Sequence, residues 1–229
     1  MKERFYQLVN QSDQEATLYI YGDITSIKLF ENDVCVYDLA KEIGDLNGKA
    51  LTVRINSYGG EVAEGLAIYN LLKSYEGEVT TICDGFACSA ASVVFMAGAK
   101  RIMPRSSLLM IHNAWTWASG DADDLRKAAE DLEKITEPSV QIYLANSNLE
   151  EETIRTMMDE ETWITADEAY EYGMATAVVE DSPQMSLKDD MLSKLVHRNK
   201  QLEKEMLKIK EQQEPDIPNE PEQKKGWFF

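Results

Sequence analysis

The strongest constraint on the fold is a repeated unit in which a short apolar strand ends in a glycine turn and a helix follows. The first copy reads ALTVRINSYGGEVAEGLAIYNLL: alternating apolar residues stop at Asn56-Ser57, and apolar residues recur at helical spacing from Val62. In the second copy, the strand GEVTTICD precedes a predicted bend at residues 85–87 and a buried apolar helix. Strands that alternate with helices predict an α/β fold with parallel strands.

The flanking segments extend this pattern. Further strands are predicted at residues 18–24, 101–103, 108–112 and 177–179, and further helices at residues 27–43, 121–146, 150–158 and 165–173. Pro138 is expected to kink or break the long helix because proline lacks a backbone N–H. Acidic residues at the start of that helix suit the helix dipole, and Thr165 to Glu168 resembles a capping box.

The composition becomes polar after Glu180. We therefore predict one folded domain over residues 1–182 and a polar tail over residues 183–229. In the tail, apolar residues recur every seven positions, at Leu195, Leu202 and Ile209. This spacing predicts a short heptad helix over about residues 187–211, with a lone surface helix as the alternative. The Pro- and Glu-rich end is predicted to be disordered.

Charge and composition exclude several function classes. The net charge of −18, without a cluster of Lys and Arg interleaved with aromatic residues, argues against nucleic acid as a partner. No apolar run approaches the roughly 20 residues that span a bilayer, and the N-terminus lacks an apolar export segment. Three cysteines without metal-ligand spacing predict reduced thiols and no metal site. We expect a cytoplasmic protein without a membrane partner.

Ser89 is the first candidate for chemistry. It lies at or near the start of the predicted second helix, where unpaired backbone N–H groups favour negative charge. A serine at this position is also a common helix cap, so that alternative stays open. The neighbouring Cys88 is an alternative nucleophile, although a small buried residue is the favoured interpretation.

A serine nucleophile needs a base and donors for the oxyanion. Of the two histidines, one lies in the tail, so His112, at the end of a predicted strand, is the available base. The turn at Gly59-Gly60 and the N–H of Ala90 are candidate oxyanion donors, although the two glycines are also typical of a tight turn. No GxSxG motif occurs, which argues against an α/β-hydrolase.

Four segments resemble, in order and in spacing, the proteolytic subunit family of Clp protease (ClpP), a relative of the crotonase fold: INSYGGEVAEGLAIYNLL, GFACSAASVVFMAG, SSLLMIHNAW and ETWITADEAYEYGMATAVV. The similarity covers about residues 18–180. It implies repeated ββα units of the ClpP/crotonase type, a long handle helix at residues 121–146, and a helical or disordered tail. It also implies a serine endopeptidase that cleaves protein or peptide substrates without a cofactor, inside stacked homo-oligomeric rings.

The resemblance assigns roles to individual residues. Ser89 matches the nucleophile, His112 the base, and Gly60 and Ala90 the backbone oxyanion donors. Alignment through ITADEAYEYG places Glu161 where the family has its triad aspartate. Two alternatives remain open: Asp159 is the acid, or the acid is dispensable.

Departures from the family pattern indicate a subtype. The short polar N-terminus, the acid segment ETW and the long polar tail resemble the ClpP-related head maturation (prohead) proteases of phages and prophages. This resemblance implies processing of capsid or scaffold protein, in the host cytoplasm or in the procapsid. The alternatives are a housekeeping or accessory subunit that degrades proteins with a Clp ATPase, a catalytically silent assembly subunit, and a crotonase-type acyl-CoA enzyme. The N-terminus argues against the Clp ATPase.

Overall fold

The structure is a computed structural model that describes residues 6–180 except residues 11, 13 and 27–33. The chain divides into two units, Met1–Asp181 and Ser182–Phe229, and every described residue belongs to the first. The predicted heptad helix and the predicted disordered end of the tail lie outside the described residues. The same holds for the first part of the helix predicted at residues 27–43.

Within the described residues, eight strands form one sheet, and the same part of the chain contains six helices. Neighbouring strands follow the order β1-β2-β3-β4-β5-β8; β6 pairs with β4, and β7 pairs with β6. The pairings are parallel except β1 with β2 and β6 with β7. The prediction of an α/β fold with parallel strands is therefore confirmed. In chain order, the elements are β1 (Tyr6–Asn10), β2 (Glu15–Ile20), α1 (Val36–Gly44), β3 (Ala50–Ser57), α2 (Val62–Lys73), β4 (Val79–Cys88), α3 (Ala90–Phe95), β5 (Lys100–Pro104), β6 (Leu108–Ile111), α4 (Ala122–Ala145), α5 (Glu151–Asp159), β7 (Thr162–Thr165), α6 (Ala166–Glu171) and β8 (Ala177–Val179).

One hydrophobic core holds these elements together. Strand β3 alternates buried and half-buried residues, as expected for a strand with one face on the core. All six residues of α3 are buried, so this helix forms the centre of the core under the sheet. Of the helices in residues 6–180, none combines the length and hydropathy that crossing a lipid bilayer requires.

Strand β4 changes its neighbour halfway along, and this change positions the candidate site. Its first half, Thr80–Ile82, pairs with β5, and its second half, Phe86–Cys88, pairs with β6. Between the halves, β4 carries extra residues relative to β3, and the side-chain oxygen of Asn56 accepts a hydrogen bond of 3.1 Å from the N–H of Phe86. The bend predicted at residues 85–87 is therefore wrong. Glycine at position 85 permits a bulge, and the strand continues to Cys88.

A buried charge cluster ties three adjacent strands together beside this bulge. Asp84 on β4 is only 3% exposed, and it accepts hydrogen bonds from Tyr21 and from Arg54 on β3, with 2.7 Å from Arg54 Nε to the carboxylate. A buried carboxylate is tolerated when it is paired and hydrogen-bonded in this way. Burial and the nearby Asp84 charge raise the pKa of Tyr21, which keeps its hydroxyl a donor.

Three further expectations need correction. Helix α4 continues through Pro138, because the lost hydrogen bond is one of many and the neighbouring Ser139 and Val140 are buried in the core. Of the helix predicted over residues 27–43, Val34 instead forms an isolated bridge with Ile24, and the described helix α1 begins at Val36. Strands β1 and β7 were not predicted at all; both are short, and both are held by antiparallel pairing with a neighbour.

Two helical glycines provide a test of how tightly α2 and α3 pack. A Cβ at Gly65 would lie 2.8 Å from the Cβ of Ala90, whereas a Cβ at Gly44 would meet nothing within 4 Å. We expect Gly65→Ala to lower the free energy of unfolding by about 1–3 kcal/mol through overpacking. Gly44→Ala should raise it by roughly 0.5–1 kcal/mol through helix propensity. Urea unfolding followed by circular dichroism measures both, and equal stabilisation by the two changes would contradict this packing.

Candidate active site

Ser89 lies at the junction of β4 and α3 with an unusual backbone conformation, φ 54° and ψ −126°. A residue other than glycine at positive φ carries strain of about 1–3 kcal/mol. Its N–H donates to the carbonyl of Met110 at 2.8 Å, and its own carbonyl accepts from the N–H of Ser92 at 2.9 Å. Although Ser89 occupies the N-cap position of α3, its side chain makes no capping hydrogen bond. The helix-cap interpretation is therefore wrong.

The Ser89 hydroxyl meets His112 instead. Its Oγ lies 2.7 Å from His112 Nε2, and both residues are half-buried. His112 follows the last residue of β6, so the pairing of β4 with β6 brings the two side chains to the same edge of the sheet. Burial lowers the pKa of His112, and the nearby Glu161 charge opposes this effect only in part. A neutral imidazole can accept the hydroxyl proton.

The two candidate acids occupy different positions. Strands β6 and β7 pair Ile111 with Thr162, so continuing the register by one residue places Glu161 opposite His112. Glu161 is exposed, has a positive φ of 51°, and makes no side-chain hydrogen bond within the described residues. Asp159 accepts a hydrogen bond of 2.7 Å from the Asn113 side chain. Neither carboxylate is hydrogen-bonded to His112, and only Glu161 contributes to its electrostatics.

The backbone next to Ser89 offers two free donors. Among the residues that the structure describes, the N–H groups of Gly60 and Ala90 donate to no protein group. A Cβ at Gly59 would lie 2.8 Å from Ser89 Cβ and 2.6 Å from the Cys88 carbonyl oxygen, so only glycine lets the turn approach the serine. At Gly60, with φ 144°, a Cβ would lie 2.1 Å from the carbonyl oxygen of Ile24.

The remaining reactive groups near the site do not compete. Cys88 is fully buried, and desolvation raises the pKa of its thiol to about 12, so the nucleophilic thiolate is not populated at neutral pH. Among residues 6–180 that are described, no group of three or more His, Cys, Asp or Glu is arranged to hold a metal ion.

Several residues that surround the site were not identified from the sequence. The side chain of Asn113 donates a hydrogen bond to Asp159. Tyr143 of α4 lines the same cavity as Ser89 and His112. The position of Asn113 directly after His112 was an available signal. Nothing in the local pattern around Tyr143 distinguishes it from an ordinary core residue of an amphipathic helix, because its partner lies 51 positions away in sequence.

Comparisons with known proteins agree on one family. The sequence model of the family described as Clp protease matches residues 1–182. The ATP-dependent Clp protease proteolytic subunit of Bacteroides fragilis is 37% identical over 134 residues, which are 58% of this chain and 65% of that protein. The subunit of the same name from Porphyromonas gingivalis is 36% identical over 135 residues, or 58% and 61% of the two chains. The match thus spans less than two thirds of these relatives' length.

A solved structure shows the same fold. A ClpP1 mutant from Listeria monocytogenes superposes with a TM-score of 0.62 at 24% identity, over 72% of this chain and 91% of that chain. This similarity confirms the expected ClpP-like architecture of the described residues.

Titration of His112 tests which of the two carboxylates acts on this histidine. In a His197→Gln background, NMR follows a single imidazole, and we expect its pKa to lie below the ordinary value of about 6.5 because burial disfavours the charged form. Glu161→Gln removes a charge that favours imidazolium, so it should lower the pKa further. Asp159→Asn is the matched control and should leave it in place. If Asp159→Asn lowers the pKa of His112 and Glu161→Gln does not, then Asp159 is the carboxylate that acts on His112.

Proposed function

Because the chain belongs to the Clp protease family, we propose that it is a serine endopeptidase in which Ser89 is the nucleophile and His112 the general base. One observation carries this proposal: the 2.7 Å hydrogen bond between Ser89 Oγ and His112 Nε2. The strained backbone of Ser89 also supports the proposal, since residues with a strained backbone are concentrated at active sites, where surrounding contacts enforce the conformation.

The geometry supports a two-step acyl transfer. Ser89 Oγ attacks the carbonyl carbon of the scissile peptide bond while His112 Nε2 takes the hydroxyl proton. The N–H groups of Gly60 and Ala90 stabilise the negative oxygen that forms. His112 then gives its proton to the leaving amine, and the peptide C–N bond breaks to leave an acyl-serine. Water attacks the ester with His112 as base, which releases the new carboxyl terminus and restores Ser89.

Glu161 is proposed to favour the imidazolium that forms in both steps. The negative charge of Glu161 raises the pKa of His112, against the effect of burial. In the register of β6 and β7, Glu161 lies opposite the histidine. Asp159 is a weaker candidate because its carboxylate is held by Asn113. In the triad logic, the acid orients the base and stabilises its charge, so glutamate serves as well as aspartate.

Exposed apolar residues support the proposal that the chain works as a homo-oligomer. Trp115 is 71% exposed and Trp117 is 86% exposed, in the segment before α4; Leu125 and Ile135 are also exposed on α4 itself. Large apolar side chains exposed together are typical of surfaces that another chain covers. The face around α4 is the one that the family resemblance assigns to stacking of rings.

Two classes of protein substrate follow from different observations. The curated relatives are named ATP-dependent Clp protease proteolytic subunits, which favours degradation together with a Clp ATPase. The glutamate at position 161 and the long polar tail favour limited processing of capsid or scaffold proteins by a phage-type head maturation protease. Both share the same chemistry at Ser89.

The nucleophile is tested by Ser89→Ala. This variant should lose cleavage of peptides and proteins by at least about a thousandfold, because no other group supplies the attacking oxygen. Assembly should be unchanged, because among the described residues the hydroxyl is hydrogen-bonded to His112 alone. A fluorophosphonate probe should label the wild-type protein once per chain, at Ser89, and mass spectrometry locates the adduct.

Two control variants make this test specific. Ser74→Ala removes a hydroxyl that donates to the Leu71 carbonyl, away from Ser89, and it should leave labelling unchanged. Cys88→Ala should also remain reactive, since its thiol is protonated. Cleavage by Ser89→Ala, or a wild-type protein that is not labelled, would contradict the proposal, and the second result would favour a catalytically silent subunit.

The substrate class is tested by adding a partner. If a Clp ATPase works with this chain, ATP and the unfoldase should accelerate degradation of a folded substrate by at least about tenfold without altering cleavage of a short peptide. If the chain processes assembly proteins, an unfolded capsid or scaffold protein should be cleaved at few sites without ATP. A deletion of residues 183–229 that leaves co-packaging with capsid protein unchanged would count against the second class.

A further inference from the structure

Two buried hydroxyl groups connect the backbone of Ser89 to helix α4. Ser92 Oγ lies 2.6 Å from the carbonyl oxygen of Ser89 and 2.8 Å from Tyr143 Oη. Ser92 is 0% exposed and Tyr143 is 1% exposed. Tyr143 belongs to the last turn of α4, and its side chain lines the cavity that contains Ser89 and His112.

The direction of both hydrogen bonds follows from the number of protons. A carbonyl oxygen only accepts, so the single hydroxyl proton of Ser92 is donated to Ser89. Tyr143 must therefore donate to Ser92 Oγ. Burial raises the pKa of Tyr143 to about 12, so its hydroxyl keeps this proton at neutral and moderately alkaline pH. The result is a short chain of donors that ends on the Ser89 carbonyl.

The Ser89 carbonyl belongs to the same peptide group as the Ala90 N–H. A trans peptide is planar, and its C=O and N–H point in opposite directions. Donors that hold the Ser89 carbonyl therefore also fix the direction of the Ala90 N–H, which points the opposite way and has no acceptor among the described residues. Hydrogen bonds to a carbonyl also polarise the N–H of the same peptide, which strengthens it as a donor.

We propose that Ser92 and Tyr143 are positioning residues that orient the peptide between Ser89 and Ala90, so that the Ala90 N–H stabilises the oxyanion. This inference rests on the proposed function, because it presumes that Ser89 is the nucleophile. The backbone N–H of Ser92 also donates to the Ser89 carbonyl, at 2.9 Å, so the side chains reinforce an orientation that the helix begins.

The proposal predicts an effect on the transition state and not on substrate binding. We expect Ser92→Ala to lower kcat about tenfold with KM within about twofold, the pattern for an interaction made in the transition state. Tyr143→Phe should lower kcat about threefold, because Ser92 still donates but is no longer polarised. The affinity of a peptide boronate, whose tetrahedral adduct places an oxygen at the oxyanion position, should fall by the same factors as kcat/KM.

The double variant separates positioning from stability. Ser92→Ala alone leaves the Tyr143 hydroxyl buried without a partner, which should lower Tm. Adding Tyr143→Phe removes that hydroxyl, so Tm should recover while kcat stays at the Ser92→Ala level. Tyr75→Phe is the matched control, because it removes a tyrosine hydroxyl bond of 2.7 Å to the Lys49 carbonyl, away from the site, and it should leave kcat unchanged.

The outcomes are distinct. A double variant whose kcat recovers together with Tm would overturn the inference, as would wild-type kcat in Ser92→Ala or a change confined to KM. In Tyr143→Phe and in the double variant, no tyrosine hydroxyl is buried without a partner. These two variants therefore test the positioning role even if Ser92→Ala does not fold. Ser89→Ala is measured alongside. If Ser89→Ala cleaves substrate, the proposed nucleophile is refuted. If Ser89→Ala is inactive while the Ser92 and Tyr143 variants are fully active, only the positioning role is refuted.

Discussion

The candidate site depends on a single structural event, the change of neighbour along β4. Up to Ile82 this strand pairs with β5, and from Phe86 it pairs with β6, because extra residues at the bulge redirect it. Without this change, the end of β4 would not lie beside the end of β6. Ser89 follows the first strand and His112 follows the second, so the hydrogen bond between them is a consequence of strand pairing. The buried cluster at Asp84 stabilises β4 where it departs from its first neighbour.

Close packing around the serine turn supports its strained backbone. Gly59 and Gly65 both lie against residues 88–90, at positions where any side chain would overlap neighbouring atoms. The turn is thereby enclosed by the loop after β3 on one side and by α2 on another. Hydrogen bonds to both the N–H and the carbonyl of Ser89 offset strain of about 1–3 kcal/mol. In the part of the chain that the structure describes, the N–H groups of Gly60 and Ala90 have no acceptor, which is the arrangement that an oxyanion requires.

Electrostatics distinguish the two partners of His112. The serine bond is formed inside a half-buried pocket, and burial keeps the imidazole neutral so that it can accept a proton. The acid side is more open: Glu161 is exposed and acts on His112 through its charge, not through a hydrogen bond. An exposed carboxylate is screened by solvent, so its influence is weaker than that of a buried acid in contact with the base. Ser89 and His112, the proposed nucleophile and base, are thus held together more firmly than His112 and Glu161, the proposed acid.

The amino-acid sequence by itself determined the α/β class, the strand before and the helix after the Gly59-Gly60 turn, and the residue types suited to the proposed acyl transfer. These features are local: apolar periodicity, glycine turns and a single histidine outside the tail are visible in short windows. Only the tertiary structure decided that β4 continues past Gly85, that β7 pairs with β6, and that Tyr143 reaches Ser92. Each of these depends on contacts between residues far apart in the chain, such as the 51 positions that separate Ser92 from Tyr143. No local pattern encodes such a contact, because its energy exists only once the intervening chain has folded.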